Sequence, residues 1–163
     1  MKKMIKHSNK YPKLTKEAEK LLEPYLTVME MTIPWGDMNA GNHVSNTAYF
    51  RYFENARVHF LEQLDFAQID EVQGGGIILA SISCKFRIPL IYPDTISIGT
   101  QILSIEHDRF TMDHIIVSHK HQKIAAEGEA LVVTYDYAKN CKSPVPQALI
   151  SKINSLIRER LLN

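Results

Sequence analysis

Alternation with a period of two marks most of this chain as strand. In Leu26–Pro34, Val28, Glu30 and Thr32 fall on one face and Met29, Met31 and Ile33 on the other. Further on, Ile78, Ala80, Ile82, Cys84, Phe86 and Ile88 alternate with Leu79, Ser81, Ser83, Lys85 and Arg87. This predicts a second strand whose second face turns polar toward its end. Thr95–Glu106, Arg109–His119 and Ile124–Tyr137 read as three more, with turns at Tyr92-Pro93-Asp94, His107-Asp108 and His121-Gln122. Their short connections make hairpin-linked antiparallel pairing the economical topology.

A helical period replaces the alternation twice. From Asn46 or Thr47, either of which can cap, the spacing predicts a helix to Leu64 with Tyr49, Tyr52, Phe53, Ala56, Phe60 and Leu64 on one side. So broad and aromatic a face must be covered by something large, and the strands supply that cover. Pro146–Leu162 repeats the pattern with Leu149, Ile150, Ile153, Leu156, Ile157 and Leu161. Between the first strand and the first helix, Trp35–Ser45 is crowded with Gly, Asn and Asp and must be a loop. The expected fold is one α+β domain over residues 24–163, preceded by an extension, 1–23.

Composition narrows this only modestly. Of 163 residues 45% are hydrophobic and 23% charged, which is ordinary for a globular chain with one core. A formal charge of +1 leaves no global field for nucleic acid. The distribution is uneven, because residues 1–23 carry seven Lys against three Glu. No apolar run of signal length follows those lysines, and no stretch is long enough to span a membrane. The expectation for this segment is a mobile Lys-rich arm with a short helix near Thr15–Leu22. Cys84 and Cys141 are too few for a disulfide framework, so a reduced, cytoplasmic setting is expected.

Chemistry concentrates in the loop and the helix start. Polar groups there meet backbone N–H donors and a helix dipole that favour developing negative charge, as on a carbonyl oxygen under attack. The run WGDMNAGNHVSNTAYFRYFENAR, Trp35–Arg57, closely resembles the signature of hotdog-fold acyl-CoA thioesterases of the 4-hydroxybenzoyl-CoA thioesterase type. Ala80–Asp94 is similar to that family's second strand and turn, so the resemblance covers about residues 24–137. It implies a hotdog fold, an antiparallel five-stranded sheet wrapped around a long central helix, here with an N-terminal extension and a C-terminal helix. It also implies a homodimer or homotetramer, a site at the subunit interface, and an acyl-CoA or acyl-carrier-protein thioester as substrate.

In the family the second acidic position of Asp-x-Asp carries a carboxylate that acts as base or nucleophile. Here that residue is Asn39, which can donate to a carbonyl or hold a water but cannot take a proton at neutral pH. Asp37, Glu54 or a neighbouring subunit's carboxylate is then the base, with Glu54 favoured. The alternative is a non-catalytic thioester-binding protein. His43 can donate to the thioester or hold the loop. Asn46 and Thr47 stand at the helix start near the substrate. Tyr49 and Phe53 line the acyl pocket or the core. Lys85 and Arg87 can meet CoA phosphates or solvent. His119 and His121 have metal-compatible spacing but no third ligand, and neither a metal nor any cofactor is expected. Gly74-Gly75-Gly76 precedes a strand and so is no phosphate loop, and Cys84 reads as core.

Overall fold

The computed structural model describes residues 12–67 and 75–162; residues 1–11 of the extension and Gly74 lie outside them. The elements run α1 (Lys16–Glu19), β1 (Thr27–Thr32), a 3₁₀ turn (Trp35–Asp37), α2 (Asn46–Gln63), β2 (Gly75–Phe86), β3 (Thr95–Ile105), β4 (Arg109–Ser118), β5 (Lys123–Asp136), β6 (Cys141–Lys142) and α3 (Gln147–Leu162). One antiparallel sheet has the order β1-β3-β4-β5-β2, with the two-residue β6 added to β5. It curls around α2, which is the hotdog arrangement. β3, β4 and β5 form the expected hairpins, but β2 pairs with β5 and not with its successor β3. The 87–94 connection therefore crosses the end of the half-barrel, and its cis Tyr92–Pro93 bond lies in that crossing.

The predicted face of α2 is the buried one. Tyr49, Tyr52, Phe53, Ala56, Phe60 and Leu64 are all at most 3% exposed. Phe53 sits so close to Gly128 that a Cβ there would lie 2.6 Å from its ring, so the glycine sets how near the helix can approach the sheet. Ile96, Ile98 and Ile116 complete this half of the core, with Met29 and Met31 packed against it as their alternation requires. The other half joins Phe60, Leu61 and Leu64 to Phe110, Met112 and Val132 under α3, through Leu149 and Ile153. The N-cap of α2 is Ser45, one residue before the expected caps, and Asn46 is the first helical residue.

Two local departures matter for the site. The pairing of β2 with β5 shifts register between Leu79 and Ser81, a bulge that places Ala80 out of step. Beyond it the predicted parity holds, with Ile82 and Cys84 toward α2. Before it the parity inverts, so Ile77 and Leu79, not Ile78 and Ala80, share the α2 side with Ile82. The second departure is the extension, whose described part is docked. Leu14, Ala18, Leu22 and Tyr25 pack on Ile115, Val117 and Ile124 of the sheet's outer face. Gln122 receives the Thr15 N–H at 2.7 Å and donates to the Lys13 carbonyl, and His119 bonds the Pro12 carbonyl at 3.0 Å.

Candidate active site

The loop ahead of α2 is a small hairpin. Met38 bridges Val44, Asn39 N–H donates to His43 O at 2.9 Å, and Asn42 takes a positive φ of 60° at the tip. Val44 N–H donates to Leu90 O at 2.8 Å and Leu90 N–H to Tyr49 Oη at 3.2 Å, which ties the loop and helix to the crossing segment. The geometry makes a pair of Asn39 and His43. Gly41 N–H donates to Asn39 Oδ1 at 2.8 Å, which orients the amide so that Nδ2 faces His43 Nδ1 at 3.2 Å. With Nδ1 accepting, the imidazole proton sits on Nε2. The Val44 carbonyl is the more distant neighbour of Nδ1, at 3.3 Å. A side chain at position 41 would lie 3.2 Å from His43 Nε2, so Gly41 keeps that edge open.

His43 borders a cavity of about 290 Å³ with Asn46, Tyr49, Phe86, Ile88 and Pro89. It lies at the α2 N-terminus, where backbone donors and the dipole favour negative charge. Its wall is apolar and aromatic, with the Tyr49 and Phe86 rings edge to face at 5.0 Å. Burial raises the pKa of the Tyr49 phenol, so that group stays neutral. Burial likewise pushes the Cys84 thiol up to about 11, consistent with a core residue and not a nucleophile.

A second groove of about 390 Å³ runs along the other flank of α2, bordered by Thr47, Phe50, Glu54, Arg57, Leu79 and Ile82. The structure thus divides the predicted residues. Asn39, His43, Asn46 and Tyr49 gather at the first cavity, and Arg87 reaches its rim; Thr47 and Glu54 belong to the second groove. Asp37 belongs to neither. Its carboxylate takes Arg51 Nη2 at 2.9 Å and the Tyr52 hydroxyl at 2.7 Å, pinning the 3₁₀ turn to the helix. Phe53, expected beside the acyl chain, is fully buried and stacked on His114 at 5.4 Å. Lys85 lies on the opposite sheet face with Asp113, Glu127 and Glu129. Arg87 is engaged there too, donating to Glu127 at 2.5 Å. His119 is held by Ser97 and Pro12 while His121 is exposed. Among the described residues no group of three or more His, Cys, Asp or Glu could hold a metal.

Sequence reasoning missed a buried polar pair beneath α2. Arg57 and His114 are 6% and 0% exposed, and Arg57 Nη1 and His114 Nε2 have no hydrogen-bond partner among the described residues. Desolvation first, then the Arg57 charge, depresses His114 to about 3, so it is neutral. Phe86, Ile88 and Pro89 were also missed as cavity wall; their alternation shows a strand end but not which end meets the helix.

Residues 33–153 match the profile of the thioesterase-like superfamily. The chain belongs to that superfamily. A protein of Aquifex aeolicus (strain VF5) named "Putative esterase" is 28% identical over 81 residues, covering 49% of this chain and 63% of that protein. The chain therefore matches somewhat less than two thirds of this relative's length. Among solved structures, "a putative Thioesterase from Pseudomonas aeruginosa" superposes with a TM-score of 0.71 at 25% identity, over 79% of this chain and 98% of that one. A gentisyl-coenzyme A thioesterase superposes with a TM-score of 0.68 at 23% identity, over 76% and 99%. These superpositions agree with the hotdog fold expected from the sequence.

Proposed function

We propose that this thioesterase-superfamily member hydrolyses an acyl thioester of coenzyme A or of a carrier protein, releasing a free acid and a thiol. The observation that carries this is the oriented Asn39–His43 pair at an apolar cavity on the α2 N-terminus. The thioester carbonyl lies in that cavity with its oxygen toward His43 Nε2–H and the helix N–H groups. As water adds to the carbonyl carbon, these donors stabilise the oxyanion, which then collapses as the C–S bond breaks and the sulfur takes a proton. The likeness to a gentisyl-coenzyme A thioesterase makes an aryl acyl group a sensible first substrate.

The water must lose a proton to a carboxylate, and Asp37 is already committed to Arg51 and Tyr52. Glu54 is exposed and forms no ion pair within 4.0 Å among the described residues. It lies eight residues beyond Asn46, roughly 12 Å along the helix axis, too far to serve the cavity of its own chain. A second copy removes that difficulty. β2 is an edge strand of 12 residues with Ile78, Leu79 and Phe86 at 38%, 39% and 51% exposure, a surface that favours pairing. Leu79 and Ile82 of that strand border the Glu54 groove, so pairing along β2 brings Glu54 of a second copy toward the first cavity. The functional unit is thus a homodimer. Among the described residues no helix is long and apolar enough to cross a membrane. The two unpaired cysteines fit a reducing compartment such as the cytoplasm.

The test is thiol release from a panel of acyl-CoAs by the native protein, Glu54→Gln and His43→Ala. Both variants are expected to lose at least about 100-fold in kcat. Mixing the two after dissociation is expected to restore about a quarter of native activity, because half of the dimers then hold one intact site. Full activity in Glu54→Gln refutes its role as base. Saturable acyl-CoA binding with no thiol release by the native protein establishes the non-catalytic alternative.

A further inference from the structure

Arg57 is a buried cation without an answering anion. It is 6% exposed, and its Nη1 has no hydrogen-bond partner among the described residues. None of the ion pairs within 4.0 Å among those residues includes it. Burial works against its charge, yet a guanidinium keeps its proton at neutral pH. A charge taken out of water is costly unless a counter-charge meets it. His114, the buried group on which this charge acts, is neutral and supplies none.

The arginine is not sealed in the core. It borders the groove of about 390 Å³ along the flank of α2, whose apolar walls are Phe50, Leu79 and Ile82. The other cation on that groove, Arg51, is taken by Asp37. The carboxylate among its described lining residues is Glu54, three residues before Arg57 and so about 4.5 Å away along the helix axis. Its field favours the guanidinium charge. In the reaction above, Glu54 takes the proton of the attacking water and becomes neutral, and Arg57 then faces no negative charge from these lining residues. An apolar groove with a buried cation in its wall fits an acyl group that is apolar along its body and anionic at its tip.

We propose that Arg57 binds a carboxylate at the far end of the acyl group, so that the preferred substrates are thioesters of one carboxyl group of a dicarboxylic acid. This rests on the thioesterase reading above, with Glu54 and Arg57 both supplied by the second copy, and it names the substrate class. In that dimer the thioester carbonyl lies near Glu54. The distal carboxylate lies about one helical turn further on, roughly 5 Å, a spacing that suits adipyl or 4-carboxybenzoyl groups. Arginine is the side chain for this task, because its planar fork meets both oxygens of a carboxylate. Arg57 thus selects the substrate, while Glu54 handles the proton.

The experiment measures thiol release from adipyl-CoA against hexanoyl-CoA, and from 4-carboxybenzoyl-CoA against benzoyl-CoA. The native protein is compared with Arg57→Lys and Arg57→Met. The native protein is expected to favour the carboxylated member of at least one pair by about tenfold or more in kcat/KM, mainly through KM. That ratio is expected to fall several-fold in Arg57→Lys and to reach unity or below in Arg57→Met. A native ratio near unity for both pairs overturns the proposal, and so does a native ratio kept in Arg57→Met. If Arg57 instead pairs with an acid of the second copy, sedimentation shows a weaker dimer in Arg57→Met and neither pair shows a carboxylate preference, which also overturns it. Thermal unfolding of the native protein with adipate or hexanoate decides the matter where the variants do not fold. Adipate is expected to raise Tm and hexanoate is not; equal effects overturn the proposal. If no thioester is cleaved but adipate alone stabilises the native protein, the carboxylate site stands and the hydrolytic reading falls.

Discussion

Replacing Asp37 separates two roles that the sequence alone could not tell apart. The structure makes it a clamp, because Arg51 and the Tyr52 hydroxyl occupy its carboxylate. Tyr52 is 1% exposed, so Asp37→Ala strands a buried donor at a cost of about 1–3 kcal/mol. The Arg51 side chain is 60% exposed, and solvent screening holds its ion pair to about 0.2–1 kcal/mol. A loss of about 2–3 kcal/mol in a chain of this size lowers Tm by roughly 4–10 °C. Tyr52→Phe removes the same bond without touching a carboxylate and is expected to reproduce most of the loss. A double-mutant cycle should show coupling of about 1 kcal/mol or more between the two positions. Thermal unfolding by circular dichroism gives the stabilities, and thiol release well below Tm gives kcat. The clamp reading expects both variants to keep kcat within about tenfold, whereas loss of a general base costs about 100-fold or more. A drop of that larger size in Asp37→Ala, with Tm unmoved and Tyr52→Phe fully active, would refute the reasoning.

Acid should expose the buried imidazole. His114 is depressed from 6.5 to about 3 in the folded state, so the unfolded chain takes up its proton first. The stability it contributes is complete above pH 6.5 and declines as pH falls toward 3. At pH 4.5 the loss is on the order of 2–3 kcal/mol; urea midpoints should fall more steeply with acid in the native protein than in His114→Asn, and parallel curves would contradict this. Gly128→Ala should cost about 1–3 kcal/mol by driving a methyl into Phe53, read as a lower urea midpoint. Gly41→Ala should leave the midpoint nearly unchanged but lower kcat/KM, since the crowded atoms are His43 Nε2 and Asn39 Oδ1.

What the sequence determined is what short-range periodicity encodes. The buried face of α2, the strand positions and the polar loop at the helix start follow from spacing. The resemblance in that run named Asn39 and His43 as candidates, but their hydrogen bond and the part Gly41 plays in orienting the amide came only from the structure. Tertiary structure decided everything that depends on residues far apart. The bulge at Ala80 inverts the parity of the first half of β2, because register belongs to the pairing with β5 and not to β2 alone. Asp37 is removed from the list of free bases by partners 14 and 15 residues away on the helix. His43 and Glu54 are set on opposite flanks of one helix. The Arg57 charge acts on His114 from 57 positions away, and Phe53 stacks on that imidazole where Gly128 lets α2 settle onto the sheet; neither leaves a local trace in the strand or helix pattern.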